Sequence, residues 1–401
     1  MKFVSTLLSF LLLVLASPSG FAGDLTPPEN LIVDGIPPIP SAIVEGVGRY
    51  TEFRSAALSS WHPARVEMLI STRFGDVPQI HLVKFPGGAR TQLTFFAERV
   101  AGASFQPTHG RYFIFRKDIG GGEWFQNYRY DMATGEVTLL TDGKSRNTLG
   151  VWSNKGDRIA YGSTRRNGKD MDFYLMNPED PSSNILFAQL DKGEAWNVLD
   201  WSPDDSKILA MEYVSANESY LWIFDVRSGE KTLLTPKESE PVSYDGGVFS
   251  KDGKGIFTVT DRGNEFGRLA YLDLATRTWK YFTSHIAWDV SSFDLSPDGK
   301  RIVFVTNEDG MSVLHLLNVA TGKEEKLPKV PVGVIGGVVW HKNGRHIGFT
   351  LSSARSSTDV FSIDMKTQKL ERWTFSKSGG LNVENFSEPE LIRWTSFDGK
   401  T

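Results

Sequence analysis

Two sets of side chains in this 401-residue chain carry chemistry that a substrate could meet. Arg165, Arg166, Arg262 and Arg268 offer planar guanidinium forks suited to a carboxylate or carbonyl, and Glu123, Glu212, Glu218 and Glu265 offer carboxylates that hold an amine. They sit in or beside polar stretches between apolar runs: KDIGGGEWF from Lys117, TRRNGKDMD from Thr164, VSANES from Val214 and DRGNEFG from Asp261, with Glu212 just before the third and Arg268 just after the fourth. The candidate substrate-binding residues are Glu123, Arg165, Arg166, Glu212, Glu218 and Arg262. The plainer alternative is that such charges only keep a turn solvated, since surface ion pairs contribute little. Covalent catalysis has no visible residues. No serine has glycine at both minus two and plus two, the chain has no cysteine, and HExxH, phosphate-loop and EF-hand patterns are absent. No catalytic residue and no cofactor is therefore assigned. The seven histidines are dispersed, and His62 and His341 each follow a tryptophan at equivalent positions. That placement is structural, because a metal needs three or four converging ligands, and no metal is expected. Asp170 and Asp172 put two carboxylates on one side of a strand, too few for calcium.

The elements that must position these residues come from a repeat. An aromatic or large apolar residue, a polar turn and an apolar strand recur with anchors at Trp61, Phe105, Trp152, Trp201, Phe249, Leu295 and Trp340. Successive anchors lie 44, 47, 49, 48, 46 and 45 residues apart. A fixed period of this length marks a repeat architecture. In the fourth copy the spacing predicts strands at Val198–Trp201, Lys207–Tyr213, Tyr220–Val226 and Lys231–Thr235, and the other copies repeat the pattern. Asp-Gly and Thr-Gly pairs at the hairpins tolerate the positive φ that tight turns require. Seven units of four strands describe an all-β, seven-bladed β-propeller. Its one-to-two and three-to-four turns are short and share one face; its two-to-three loops are longer, charged and on the other. Function concentrates on loops that a rigid scaffold displays, so the two-to-three face is the expected working surface.

Residues 1–22 read as an export signal: a basic start at Lys2, an apolar run from Phe3 to Ala16, and small residues before Gly23. The run is shorter than the roughly 20 residues that cross a bilayer, so the expectation is an exported protein, periplasmic or secreted, off the membrane after cleavage. A net charge of −4 with both signs interspersed gives no basic surface for nucleic acid. Residues 23–54 form an arm: five prolines between Gly23 and Pro40, then a short helix over Ser41 to Tyr50, with Ser41 as cap and Ile43, Val44 and Val47 on its apolar face. The propeller is placed at 55–376. The last blade supplies its own four strands, so the ring needs no N-terminal strand, although Tyr50 to Arg54 could provide one. Residues 377–401 read as a linker and a new strand, ELIRWTSFDGKT, leading into an absent domain.

The strand turn WSPDD and the blade end PGGARTQLT from Pro86 resemble the blades of Tol-system periplasmic propellers and of prolyl oligopeptidase family serine peptidases. KDIGGGEWFQNYRYD from Lys117, STRRNGKDMDFYLM from Ser163, EYVSANESYLWIFDV from Glu212 and, above all, ELIRWTSFDGKT favour the peptidases. That resemblance implies a propeller that gates an α/β-hydrolase acting on peptides, with all three triad residues outside this chain. The paired glutamates by which the dipeptidyl-peptidase branch grips an amine have no match: Glu324-Glu325 falls on the opposite face. The alternative is a stand-alone Tol-like propeller that binds a protein or glycan.

Overall fold

A computed structural model describes residues 23–399 apart from 192 and 194; the expected export signal, residues 1–22, lies outside the described residues. Contacts divide the chain into two compact units, one ending at Glu52 and including Gly379–Leu381, the other comprising Phe53–Ser378 and residues from Asn382 onward. No described helix is long and apolar enough to cross a membrane.

In the first unit the arm closes on itself through Leu25 N to Ile39 O (2.7 Å) and Ser41 N to Gly23 O (3.0 Å). Its apolar side chains surround a cavity of about 520 Å³. The helix spans Ser41–Thr51, but Ser41 is not its cap. Pro40, extended at φ −60° and ψ 135°, holds that position and has no side-chain oxygen to offer. The predicted apolar face, Ile43, Val44 and Val47, is exposed.

The second unit is the seven-bladed propeller, each blade an antiparallel meander in sequence order. The fourth blade shows the pattern: Trp196–Trp201, Lys207–Ser215, Glu218–Asp225 and Lys231–Leu233. Blade six differs. After Arg301–Glu308 and Met311–Asn318 its fourth strand shrinks to a single bridge, Leu317 with Glu324. Pro328 and Pro331 follow, and proline cannot donate to a ladder, so pairing stops there. The segment from Glu390, expected as a strand leading into an Asp-Gly turn, pairs with no sheet over its described residues 390–399.

A blade has two apolar faces and cannot bury either alone. The buried hydrophobic residues accordingly form seven clusters, each spanning one junction between neighbouring blades. At the inner end of each junction the anchor residues interlock. Trp201 Nε1 donates back to Val151 O (2.9 Å), Trp152 Nε1 to Ser104 Oγ (3.1 Å), and Trp61 Nε1 to Val339 O (3.1 Å). Elsewhere the anchor's backbone donates instead: Phe105 N to Ser60 Oγ, Phe249 N to Asp200 Oδ2, and Trp340 N to Asp294 Oδ2 (2.6 Å). The acceptor is always the residue before the neighbour's anchor. Only the junction of blades five and six, where Leu295 packs near Val248, has no such bond among the described residues.

The ring closes without a shared strand. Blades one and seven meet through Trp61 edge-on to Trp373 (centroids 5.5 Å apart), Leu58 N to Thr350 Oγ1 (3.0 Å), and Asp359 between Arg372 and Arg90. The Tyr50-to-Arg54 segment contributes one bridge, Phe53 with Ser378, rather than a blade strand. Position after the anchor is a turn cap: Ser202, Ser250 and Ser296 bond the aspartate two residues on, and His62 Nδ1 and His341 Nδ1 accept turn N–H groups. Burial, with Arg65 second, holds His62 neutral, its pKa down to about 4.

Asp294 and Asp200 face the ring's interior, partly open to solvent yet enclosed by the inner strands. Burial pushes their pKa values up to about 7 and about 6. A carboxyl raised from its ordinary 3.8 makes the folded state hold a proton that the unfolded chain releases, so stability falls as pH rises from the unfolded toward the folded pKa. Asp294→Asn keeps an oxygen for the Trp340 amide and loses the ionisation. We expect it to stabilise the fold by about 1–3 kcal/mol at pH 8 and to change it little at pH 4, measured by urea unfolding at both values. Equal effects at the two pH values would contradict this.

Candidate functional site

The two-to-three face brings the predicted residues to one side of the propeller but occupies most of them with the chain itself. Glu218, expected on a loop, is on a strand. The turn Ala216-Asn217 is only two residues long, so both strands extend past the expected ends. Glu212, within the expected strand, is buried and accepts a bond from Trp222 Nε1 (3.0 Å), while Glu218 takes the Tyr220 hydroxyl. Neither presents a free carboxylate to an amine.

Arg166 folds back over its own hairpin. Its Nε and Nη2 meet Asp172 Oδ2 (2.6 Å) and Oδ1 (3.1 Å), and Nη2 also reaches Asp170 and Leu190 O. The Asp172 hydrogen bond is the first cause holding the guanidinium's pKa above its ordinary value. The Asp170–Asp172 pair thus closes on a cation that the chain supplies. Arg262 is similarly engaged, by the Tyr281 hydroxyl (3.4 Å) and Glu238 (2.5 Å), and those two contacts raise its pKa. Arg268 donates to Arg262 O (2.6 Å) and lies 4.0 Å from the Tyr281 ring centroid.

Two candidates remain outward. Glu123 stands at φ +60° in the loop of blade two, with its N–H on Asp118 Oδ2 (2.9 Å) and its carboxylate 3.6 Å from Arg146. Arg165 is exposed and its guanidinium has no partner among the described residues. Among the described residues, no group of three or more histidines and carboxylates there is placed to hold a metal.

Sequence reasoning read residues 377–401 as a linker and strand and missed that the segment crosses this face. Phe386 packs near Phe53 (6.5 Å), Glu388 pairs with Arg355 (2.7 Å) at the hairpin of blade seven, and Arg393 pairs with Asp309 (2.8 Å) at that of blade six. The chain therefore runs over the two-to-three ends from blade seven to blade six, with Leu391, Ile392, Trp394 and Phe397 exposed. The usable signal was the charge match between Glu388 and Arg393 and the tips of those hairpins.

A seven-bladed propeller with its charged loops on one face is a scaffold class. Comparison places the chain within it: residues 98–376 match the family described as prolyl oligopeptidase, N-terminal beta-propeller domain, and the chain belongs to that family. A relative from Bacillus subtilis (strain 168), uncharacterized peptidase YuxL, is 31% identical over 178 residues, 44% of this chain and 24% of the relative. Among solved structures, a chain from a study of two prolyl endopeptidases aligns with TM-score 0.72 and 15% identity over 88% of this chain and 54% of its own. Prolyl oligopeptidase B from Galerina marginata, apo protein, aligns with TM-score 0.68 and 13% identity over 90% of this chain and 56% of its own. The chain thus spans about half the length of these structures.

The ties of Arg166 make its role testable. Arg166→Ala leaves Asp172, which has no solvent exposure, charged and short of its main partner. The expected loss is about 3 kcal/mol of unfolding free energy in urea. Unchanged stability would return Arg166 to the substrate-binding set.

Proposed function

We propose that this chain is the substrate-gating propeller of an exported serine peptidase of the prolyl oligopeptidase type, acting on peptides. Its α/β-hydrolase domain would lie over the two-to-three face, bringing in the nucleophile, acid and base that these residues lack. The propeller would admit extended peptides and turn away folded chains, a task suited to a ring hydrogen-bonded at six of its seven junctions. The observation that carries the reading is the path of residues 386–393, which takes the chain onto that face and leaves Leu391, Ile392 and Trp394 uncovered there. Exposed apolar clusters of this kind mark interaction surfaces. Family membership supports the same reading. Export rests on residues 1–22 alone.

Two measurements test it. The reading frame beyond the codon for Thr401 should encode a G-x-S-x-G serine followed by aspartate and then histidine, and the protein made from that frame should be labelled by a serine-directed phosphonate. Residues 23–401 should not be labelled; labelling of that piece, or a frame without these elements, would sink the peptidase reading. For export, the mature protein recovered outside the cytoplasm should begin at Gly23. Recovery with an intact Met1 would oppose it.

A further inference from the structure

Most arginines described above are paired. Arg116 and Arg99 are not. Arg116 is the penultimate residue of the second strand of blade two, opposite Ala101 in the ladder, and Arg99, just before the first strand, lies two residues before Ala101. The two are therefore diagonal neighbours on one face of the blade, at its two-to-three end. Arg116 is half-buried, and Arg99 is exposed. Neither guanidinium makes a hydrogen bond or ion pair among the described residues, and Arg116 Nε is fully buried with no acceptor. The Phe125 ring lies 4.8 Å from Arg116 Cζ, a platform that fixes the guanidinium plane and leaves its other donors free.

The nearby acids do not neutralise the pair. Glu98 is taken by Lys117 (3.2 Å), Glu123 faces Arg146, and Asp118 turns one oxygen to the Glu123 N–H. The second Asp118 oxygen is buried without a partner and forms no ion pair with either arginine. Burial, and then the charge of Arg99, hold the Arg116 pKa below its ordinary value. Two guanidinium groups kept together without a counter-anion, one of them partly removed from water, are stable company only for an anion. A planar carboxylate matches their forked donors.

We propose that Arg116 and Arg99 form a carboxylate-binding subsite that takes the C-terminal carboxylate or an acidic side chain of a peptide. Its place on the working face rests on the reading of that face as the substrate side. On blade three the positive rim continues through Arg146 and the unpartnered Arg165. Arg116 holds the carboxylate against the Phe125 platform, and Arg99 closes over it from solvent. Of the residues expected from the sequence, this site uses Arg165 only as a neighbour.

Calorimetric titration of the purified chain at low salt tests this with three N-acetylated pentapeptides of one neutral body. One ends in a free carboxylate, one is a C-terminal amide with an internal glutamate, and one is a neutral amide. At least one acidic peptide should bind about tenfold more tightly than the neutral amide, and which one does so names the source of the carboxylate. Arg116→Gln should erase that preference without weakening the neutral peptide, and Arg116→Lys, which keeps charge but not the fork, should retain part of it. Arg99→Gln, at an exposed position, should also lower it and guards against a folding defect in the buried variant. Equal binding of all three peptides by the parent chain, or an acid preference intact in both glutamine variants, would overturn the proposal. Binding is read without turnover, so a missing hydrolase would leave this result standing, and a present one would not rescue it.

Discussion

The anchor interlock is the contact on which the rest of the propeller depends. A blade gains stability only by laying both faces against neighbours, so seven separate clusters must form together and close a circle. Apolar contact supplies most of the free energy but no direction. The hydrogen bond from each anchor to the residue before its neighbour's anchor supplies the direction, fixing how far one blade turns relative to the next. Six repetitions of that bond set the rotation, and the seventh junction inherits it.

The same economy explains why so few charges face outward on the two-to-three side. Arg166, Arg262 and Arg268 hold hairpins and inter-strand corners, and Glu212 and Glu218 satisfy a tryptophan and a tyrosine. What remains unspent is concentrated on blades two and three, and it is positive. Under the proposed function, a face that is rigid, mostly self-satisfied and locally cationic would select among peptides by where their charges fall.

Much of the fold was legible because the repeat writes both its packing and its turns into consecutive residues. Trp201-Ser202-Pro203-Asp204 encodes an anchor, a turn cap and its carboxylate partner in one stretch, and the structure uses each in that role. The candidate site was less legible, because its residues are defined by distant partners. Arg166 looks free until Asp172 is seen to be buried beneath it. Glu218 looks like loop until a two-residue turn draws it into a strand. Arg99 and Arg116 are inconspicuous in sequence, and only the ladder register makes them neighbours. The shortened sheet of blade six was readable in Pro328 and Pro331, which break the pairing. The helix start was not, since Ser41 satisfies every rule for a cap and Pro40 takes the place.

The junction of blades five and six gives the ring an uneven response to temperature. Its anchor, Leu295, has no indole N–H, and Val248 offers no side-chain oxygen to the Leu295 amide, so at that inner end cohesion is apolar where the other junctions add a hydrogen bond. Apolar cohesion weakens on cooling, because the entropy that drives it fades, while hydrogen bonds keep their strength. Cooling therefore takes proportionately more cohesion from the inner end of this junction than from the others. Lys251, on the blade-five turn, and Gly299, on the blade-six turn, sit at that place, packed so closely that any side chain at position 299 would meet the Lys251 chain at 2.9 Å.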